Sequence, residues 1–363
     1  MNTFGKTIGL TIFGESHGLS IGAVLDGLPS GEAIDWDAVR TEMARRAPGK
    51  NKMSTARSEK DAFEIQSGFF NGHTTGTPLC AIIRNSDQHS RDYDQLRHIM
   101  RPGHADYSGK IRYGGFNDYR GGGHFSGRLT APLVFAGAVA SQILARHGIT
   151  IGSHILRLAG IADKPFDAAG ETAETLQALK KETLPVLDKA QAGPMEEKIL
   201  EAKNDLDSVG GVIECIVTGL PAGIGDPFFD SVESQLSHMM FSVPAVKGIE
   251  FGDGFALADL RGSQANDAFY YDGDAVKTRT NHNGGINGGI TNGMPVVFRL
   301  AVKPTASISQ KQETIDTDTK ENCDLVIKGR HDPCIVQRAI PVVEAAAAWA
   351  ILDVCLSEKG RCW

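Results

Sequence analysis

Between Arg101 and Arg128 the chain carries four arginines (Arg101, Arg112, Arg120, Arg128), two histidines (His104, His124), many glycines and almost no aliphatic side chains. Such a segment has little to offer a hydrophobic core. Glycine lets backbone approach a ligand, guanidinium groups match phosphate and carboxylate, and imidazole exchanges protons near neutral pH. Together they point to an enzyme for an anionic substrate. His104 follows Pro102-Gly103 and precedes Asp106, a carboxylate able to hold the ring or fix its tautomer. Gly121-Gly122-Gly123, just ahead of a helical pattern, could offer backbone N–H groups to a phosphate.

Five further clusters carry the same chemistry. Gly14-Glu15-Ser16-His17-Gly18 places a histidine on a glycine-bracketed turn. From Arg40 to Lys60 there are seven Lys/Arg against Glu42 and Glu59, among them Arg45, Arg46, Lys50, Lys52 and Arg57 around Pro48-Gly49. Cations at a helix end complement its dipole, but five exceed that need and suggest an anion-binding loop. Residues 281–293 hold four asparagines, His282 and five glycines, suited to lining a planar polar ligand. Lys303-Pro304-Thr305-Ala306-Ser307 and Arg330-His331-Asp332-Pro333-Cys334 each follow or precede a regular element and combine charge with hydroxyl or carboxylate groups. His331 and Cys334, three apart in one loop, make a poor nucleophile pair, and no group has metal-ligand spacing.

Composition narrows the setting. A net charge of −7 argues against nucleic acid or an anionic membrane as partner. The six cysteines are scattered without a Cys-x-x-Cys pair, and no signal peptide pattern opens the chain, so a cytoplasmic protein with reduced thiols is expected. The longest apolar run, 341–356, contains Glu344 and Asp353 and is expected to belong to a soluble core rather than a membrane.

Elements that could position these clusters recur in order. Strands are expected at 7–13 and 20–25, then Gly27-Leu28-Pro29-Ser30-Gly31 and a helix over 36–46 with Asp35 as N-cap. A strand at 214–218, then Gly219-Leu220-Pro221-Ala222-Gly223 and a helix over 229–240, repeats the pattern. Strand 79–83 after Gly76-Thr77-Pro78 has a counterpart in 296–302 after Gly293-Met294-Pro295. Long helices near 132–148 and 341–360 each have Pro in the expected first turn and Gly at the end. We therefore expect one domain over 1–363, built from pseudo-repeat halves at about 1–150 and 207–363, with a helical insertion at about 160–206. Strands, helix, strands, long helix within each half favours α+β with antiparallel sheets. No Gly-x-Gly-x-x-Gly follows a strand with an acid placed for a dinucleotide ribose.

Gly14-Glu15-Ser16-His17-Gly18, Asp26-Gly27-Leu28-Pro29, Ser54-Thr55-Ala56-Arg57 with Ser67-Gly68, Arg101-Pro102-Gly103-His104-Ala105-Asp106-Tyr107, Tyr119-Arg120-Gly121-Gly122-Gly123 and Arg330-His331-Asp332-Pro333 resemble chorismate synthases along essentially the whole chain. The resemblance implies a sandwich of antiparallel sheets around helices, with two pseudo-symmetric halves, assembled as a homotetramer. It implies an anti 1,4-elimination of phosphate from 5-enolpyruvylshikimate 3-phosphate, giving chorismate on the route to aromatic amino acids. Reduced FMN is required without net redox change, and a separate flavin-reducing system, linked to NADP, would supply it. His17 then corresponds to the histidine that protonates departing phosphate, His104 to the one that protonates reduced flavin, and Asp332 to the acid that helps take up the substrate proton. Ser16, Arg46, Lys52, Arg57 and Arg128 would bind substrate. Flavin contacts would fall on His124, Phe125, Ser126, Pro244, Ala245, Gly288, Lys303, Pro304, Thr305, Ala306, Ser307 and Arg330. The chain departs from the common pattern at His124-Phe125-Ser126-Gly127, at Val243-Pro244-Ala245 and at Lys52. Two other readings of the residues alone are a flavoprotein reductase and a non-catalytic anion-binding protein.

Overall fold

The computed structural model describes residues 2–49, 52–53, 61–85, 96–327 and 331–357. Numbering only the strands of the two large sheets, the first holds β1 (Thr3–Phe4), β2 (Gly9–Gly14), β3 (Ser20–Asp26), β4 (Phe63–Ser67) and β5 (Leu79–Arg84) in the order β1-β2-β3-β5-β4. The second holds β6 (Thr150–Leu158), β7 (Ile161–Ala162), β8 (Gly211–Thr218), β9 (Val246–Phe251) and β10 (Val296–Val302) in the order β7-β6-β8-β10-β9. Every pairing within them is antiparallel. The fold is α+β, and four strands of each sheet follow the same order, β2-β3-β5-β4 and β6-β8-β10-β9, with a different short edge strand (β1, which precedes its neighbour in the chain, and β7, which follows it). The second sheet begins at Thr150, ahead of the helical insertion, because β6 pairs with β8 across it.

Alternation explains the first sheet. Ile21, Ala23 and Leu25 of β3 lie opposite Ile83, Ala81 and Leu79 of β5, and all six are buried on one face. The second sheet is buried on both faces. Ile213, Cys215 and Val217 of β8 join the main core, while Ile216 packs with Leu176, Leu179 and Phe166 from the insertion. The insertion supplies α4 (Ala173–Leu179) and α5 (Ala192–Asn204), counting α1 (Trp36–Arg46), α2 (Asp106–Arg112) and α3 (Thr130–Arg146) before them.

Helices α3 and α7 (Val336–Ser357), with α6 (Val232–Met240) between them in sequence, form the middle layer. α3 packs on the first sheet, α7 on the second, and they lie against each other. At their contact Gly137 comes so close that a Cβ there would sit 2.2 Å from the Ala345 Cα. α1 starts where expected, with Asp35 Oδ1 accepting from the backbone of Asp37 and Ala38. α7 starts earlier than expected, so Pro341 lies inside it rather than in its first turn. Gly127–Arg146 and Val336–Ser357 are long and apolar enough to cross a membrane, contrary to the expectation of no such run, yet 83% and 94% of their apolar windows are buried within the protein. Glu344 and Asp353 are satisfied there. Asp353 accepts the backbone N–H groups of Lys6, Thr7 and Ile8, and Glu344 accepts from Ser153 and pairs with Arg45.

A buried charge network joins the insertion to the second sheet. His154 lies between Asp163 (3.1 Å from Nδ1) and Glu214 (2.9 Å from Nε2), and Glu214 also accepts from Arg299. Burial alone would lower the His154 pKa, but the hydrogen bonds and charges of the two carboxylates raise it above 6.5. Its stabilisation is therefore complete below about pH 6.5 and lost as pH rises through the folded value. Asp163 and Glu214, both depressed, contribute above about pH 4 and fail on acidification. Replacing His154 with Phe should cost about 3–5 kcal/mol by stranding two buried carboxylates. Urea unfolding across pH should show an alkaline loss in the parent that is absent in His154→Phe; matching pH profiles would refute the charged-histidine reading.

Candidate active site

The turn between β2 and β3 presents Ser16 and His17. Gly14 allows it, since at φ 95° a Cβ would lie 2.4 Å from the Ser20 carbonyl oxygen. Ser16 N–H donates to the Gly123 carbonyl (3.1 Å), tying this turn to the triple glycine. Gly121, Gly122 and Gly123 all have positive φ (60°, 85° and 53°). Each is also needed for space. A Cβ on Gly121 would be 2.1 Å from His17 Cε1, one on Gly122 3.3 Å from His104 Cε1 and Nε2, and one on Gly123 1.9 Å from the Asp118 carbonyl oxygen. Consecutive glycines thus carry His17 and His104, residues far apart in sequence. His17 is 4% exposed, and the Ser16 hydroxyl is buried without a partner among the described residues.

His104 Nδ1 lies 2.6 Å from Asp106 Oδ1. Arg101 Nη2 also approaches Nδ1 (3.1 Å), but the carboxylate, which only accepts, is much closer, so we place the proton on Nδ1, leaving Nε2 facing Gly122 as the exchangeable position. Arg101 grips Asp106 with two 2.7 Å hydrogen bonds. Burial would raise the Asp106 pKa, but the bonds from Arg101 and His104 hold it well below the carboxylate range. Arg101 also reaches Ser307 (3.2 Å), Lys303 Nζ donates to the Gly103 carbonyl, and Lys303 N–H donates to the Ala245 carbonyl (3.0 Å). These contacts bring the 303–307 segment and Ala245, which is left-handed at φ 73°, beside the His104 loop. His331 is close enough to Arg101 that burial first and that guanidinium second lower its pKa.

Arg46 and Arg128 are both buried and share one carboxylate, Asp61. Arg46 donates from Nε (3.1 Å) and Nη2 (2.6 Å) to Oδ2, and Arg128 donates from Nη1 to Oδ1. Burial opposes ionisation of Asp61, but the two guanidinium groups lower its pKa. Arg46 also reaches Thr130 at the start of α3, while its carbonyl accepts from Arg338, which pairs with Asp332. Asp332 is thereby linked to the α1 end. Asp61, Asn85 and Arg338 were not singled out in the sequence; their pairing depends on residues distant along the chain and leaves no local signal.

Other expected residues are placed differently. Lys52 is largely exposed and pairs with Glu196 of α5 (2.7 Å), and Arg45 is committed to Glu42 and Glu344. His124 Nδ1 bonds the Gly14 carbonyl (2.8 Å), Phe125 packs on Gly109 and Tyr113, and Ser126 caps the turn into α3 by accepting from Arg128 N–H. Gly288 lies in the hairpin Ile286–Asn287 with Ile290–Thr291, which packs on the start of α6 through the Gly289 carbonyl and Val232 N–H. The polar groups of 281–283 hold their own loop, through Pro295, Asp253 and Asp267, rather than lining an open face. Cys334 is fully buried and its thiol is pushed up to about 12, so it does not serve as a thiolate. Lys50, Arg57 and Arg330 lie outside the described residues. No His/Cys/Asp/Glu metal cluster occurs among the described residues.

The chorismate synthase family model matches residues 8–356. The chain belongs to the chorismate synthase family. Similar members include the chorismate synthases of Chitinophaga pinensis (46% identity, covering 99% of this chain and 98% of the relative) and Dehalococcoides mccartyi (45%, covering 98% and 96%). A chorismate synthase crystal structure superposes with a TM-score of 0.76 at 28% identity, covering 99% of this chain and 95% of the other.

The Asp61 bridge makes a direct prediction. Asp61→Ala leaves two buried guanidinium groups without their shared counter-ion and should lower stability by about 3–5 kcal/mol. Because its folded pKa is depressed, Asp61 stabilises the protein above about pH 4 and ceases to as pH falls through the folded value. Denaturant unfolding at pH 7 and pH 3 should show the variant's deficit shrinking on acidification. An equal deficit at both pH values would assign the loss to packing.

Proposed function

We propose that the chain is a carbon–oxygen lyase that eliminates phosphate and a ring hydrogen, anti and 1,4, from 5-enolpyruvylshikimate 3-phosphate to give chorismate. The observation that carries this reading is the mounting of His17 and His104 on successive glycines beside the Arg46–Asp61–Arg128 bridge. The substrate bears a phosphate and two carboxylates, for which guanidinium groups provide bidentate, charge-assisted donors. Loss of phosphate needs a proton at the departing oxygen, and His17, shielded from solvent, is placed to deliver it. His104, its Nδ1 proton held by Asp106, keeps Nε2 for proton exchange beside Gly122. Asp332, oriented by Arg338, is the carboxylate we assign to moving the ring proton.

The residues also suit the flavin that this chemistry requires. Thr305 Oγ1 is buried without a partner among the described residues, as a hydroxyl would be that bonds a phosphate or ribityl oxygen, and Lys303 and Ser307 lie beside it in sequence and next to the His104 loop. Lys303 to Ser307, Ala245 and the 124–126 turn would hold it, with Gly288, Pro244 and Arg330 as further candidates. When bound, reduced FMN supplies transient electron donation that eases phosphate departure with no net redox change. We read the enzyme as a cytoplasmic homotetramer fed by a separate, NADP-linked flavin-reducing system. We also infer that its halves arose by duplication, a reading supported by the order that four strands share in each sheet, β2-β3-β5-β4 and β6-β8-β10-β9.

Anaerobic incubation with dithionite-reduced FMN and 5-enolpyruvylshikimate 3-phosphate should release chorismate and phosphate in equal amounts. No release would overturn the proposal, and NADPH consumption with FMN alone would favour a reductase. His17→Ala and His104→Ala should each lower turnover by about 10²–10⁴-fold while FMN binding and the unfolding midpoint stay near the parent's. Gly121→Ala, which drives a methyl group into the His17 ring, should cost about 10²-fold in kcat by displacing it.

A further inference from the structure

Asn85 follows β5 and touches both halves of the proposed chemistry. Its Nδ2 donates to the carbonyls of Glu15 (3.0 Å) and Gly18 (2.9 Å), which flank Ser16 and His17. Its Oδ1 accepts from Arg128 Nε (3.1 Å), and its backbone N–H donates to the Leu19 carbonyl (3.2 Å). Only this orientation of the amide satisfies all three side-chain bonds, because carbonyls cannot donate and Nε cannot accept. One half-buried side chain thus clasps the His17 turn across its mouth and ties it to the guanidinium whose Nη1 rests on Asp61.

The turn does not need Asn85 to exist. Gly18 N–H already bonds the Glu15 carbonyl (3.0 Å), Ser16 N–H bonds Gly123, and Gly14 pairs with Ile21 in the sheet. Together with His124 Nδ1 on the Gly14 carbonyl (2.8 Å), these bonds tie the turn to the backbone at 123–124, but none of them reaches the Arg128 guanidinium, whose side chain is registered with the turn by Asn85. We propose that Asn85 is a positioning residue that holds the His17 proton donor in register with the Arg46–Arg128 anion site. The proposal rests on the elimination reading above. A proton donor must meet the departing oxygen within hydrogen-bond reach, and a displacement of about 1 Å costs about 10²-fold. The chain of bonds Asp61–Arg128–Asn85–turn supplies that registration through Asn85, which need not touch substrate itself.

Asn85→Asp and Asn85→Ala in the full-length protein separate the two bonds. Aspartate is nearly isosteric and still accepts from Arg128, but it cannot donate to the two carbonyls and opposes them with charge. Both variants should lose about 10–10²-fold in kcat with FMN binding and unfolding midpoint retained; KM should rise clearly only in Asn85→Ala, where Arg128 Nε loses the Asn85 oxygen. In a His17→Ala background, Asn85→Ala should lower kcat no further, because Asn85 acts through His17. Parent-like kcat in Asn85→Asp, additive losses in the double variant, or failure of Asn85→Ala to fold would each overturn the proposal. Failure of the elimination reading looks different: the parent protein itself would then form no chorismate.

Discussion

The close approach of α3 and α7 at Gly137 and Ala345 is the constraint on which the rest of the structure depends. With no side chain at Gly137 the two backbones come closer than ordinary helix packing, so each sheet is drawn onto the same helical layer. The consequence reaches the site. Thr130, at the start of α3, and Arg338, near the start of α7, both bond Arg46 at the end of α1. Each lies seven residues from the Gly137–Ala345 contact, so the helices leave that common point side by side. The segments just ahead of them, ending in Arg128 and containing Asp332, are brought to one place.

Cations in that place are held by carboxylates. Asp61 bridges Arg46 and Arg128, Asp106 receives Arg101, Asp118 receives Arg120, and Asp332 receives Arg338. Pairing limits the cost of burying guanidinium groups and fixes their planes, at the expense of part of their charge. A site built this way recognises an anion by geometry as much as by net charge, which suits a protein whose overall balance is acidic. The histidines obey the same economy: His104 takes its tautomer from Asp106, and His154, far from this chemistry in role, has its pKa raised by the two carboxylates that surround it.

Much of this was legible in the chain before any coordinates. The α1 boundaries and its Asp35 cap, strand β10, and the matched strand–turn–helix units follow from local periodicity and turn residues, and local rules suffice for them. Glycines at 121–123 signalled close approach, though not that each would carry or clear a different group. Pro341 reads as a first-turn proline, but burial of Val336, Gln337 and Ile340 against the core starts α7 one turn earlier. In the polar loop 281–293, whose composition suits a ligand face, Asn281 Nδ2 and Asn283 bond Pro295 and Asp267, while Asn281 Oδ1 is buried without a partner among the described residues.

By itself the sequence determined the element pattern, the α+β class and the chemical types available, because these depend on residues near one another in the chain. Its motifs also marked His17, His104 and Asp332. Tertiary structure alone decided which groups meet: His17 and His104 on adjacent glycines, Arg46 and Arg128 on Asp61, Asn85 between turn and arginine, Lys52 turned instead to Glu196. Such pairings span tens to hundreds of residues, and no periodicity or spacing encodes a partner that only packing brings within 3 Å.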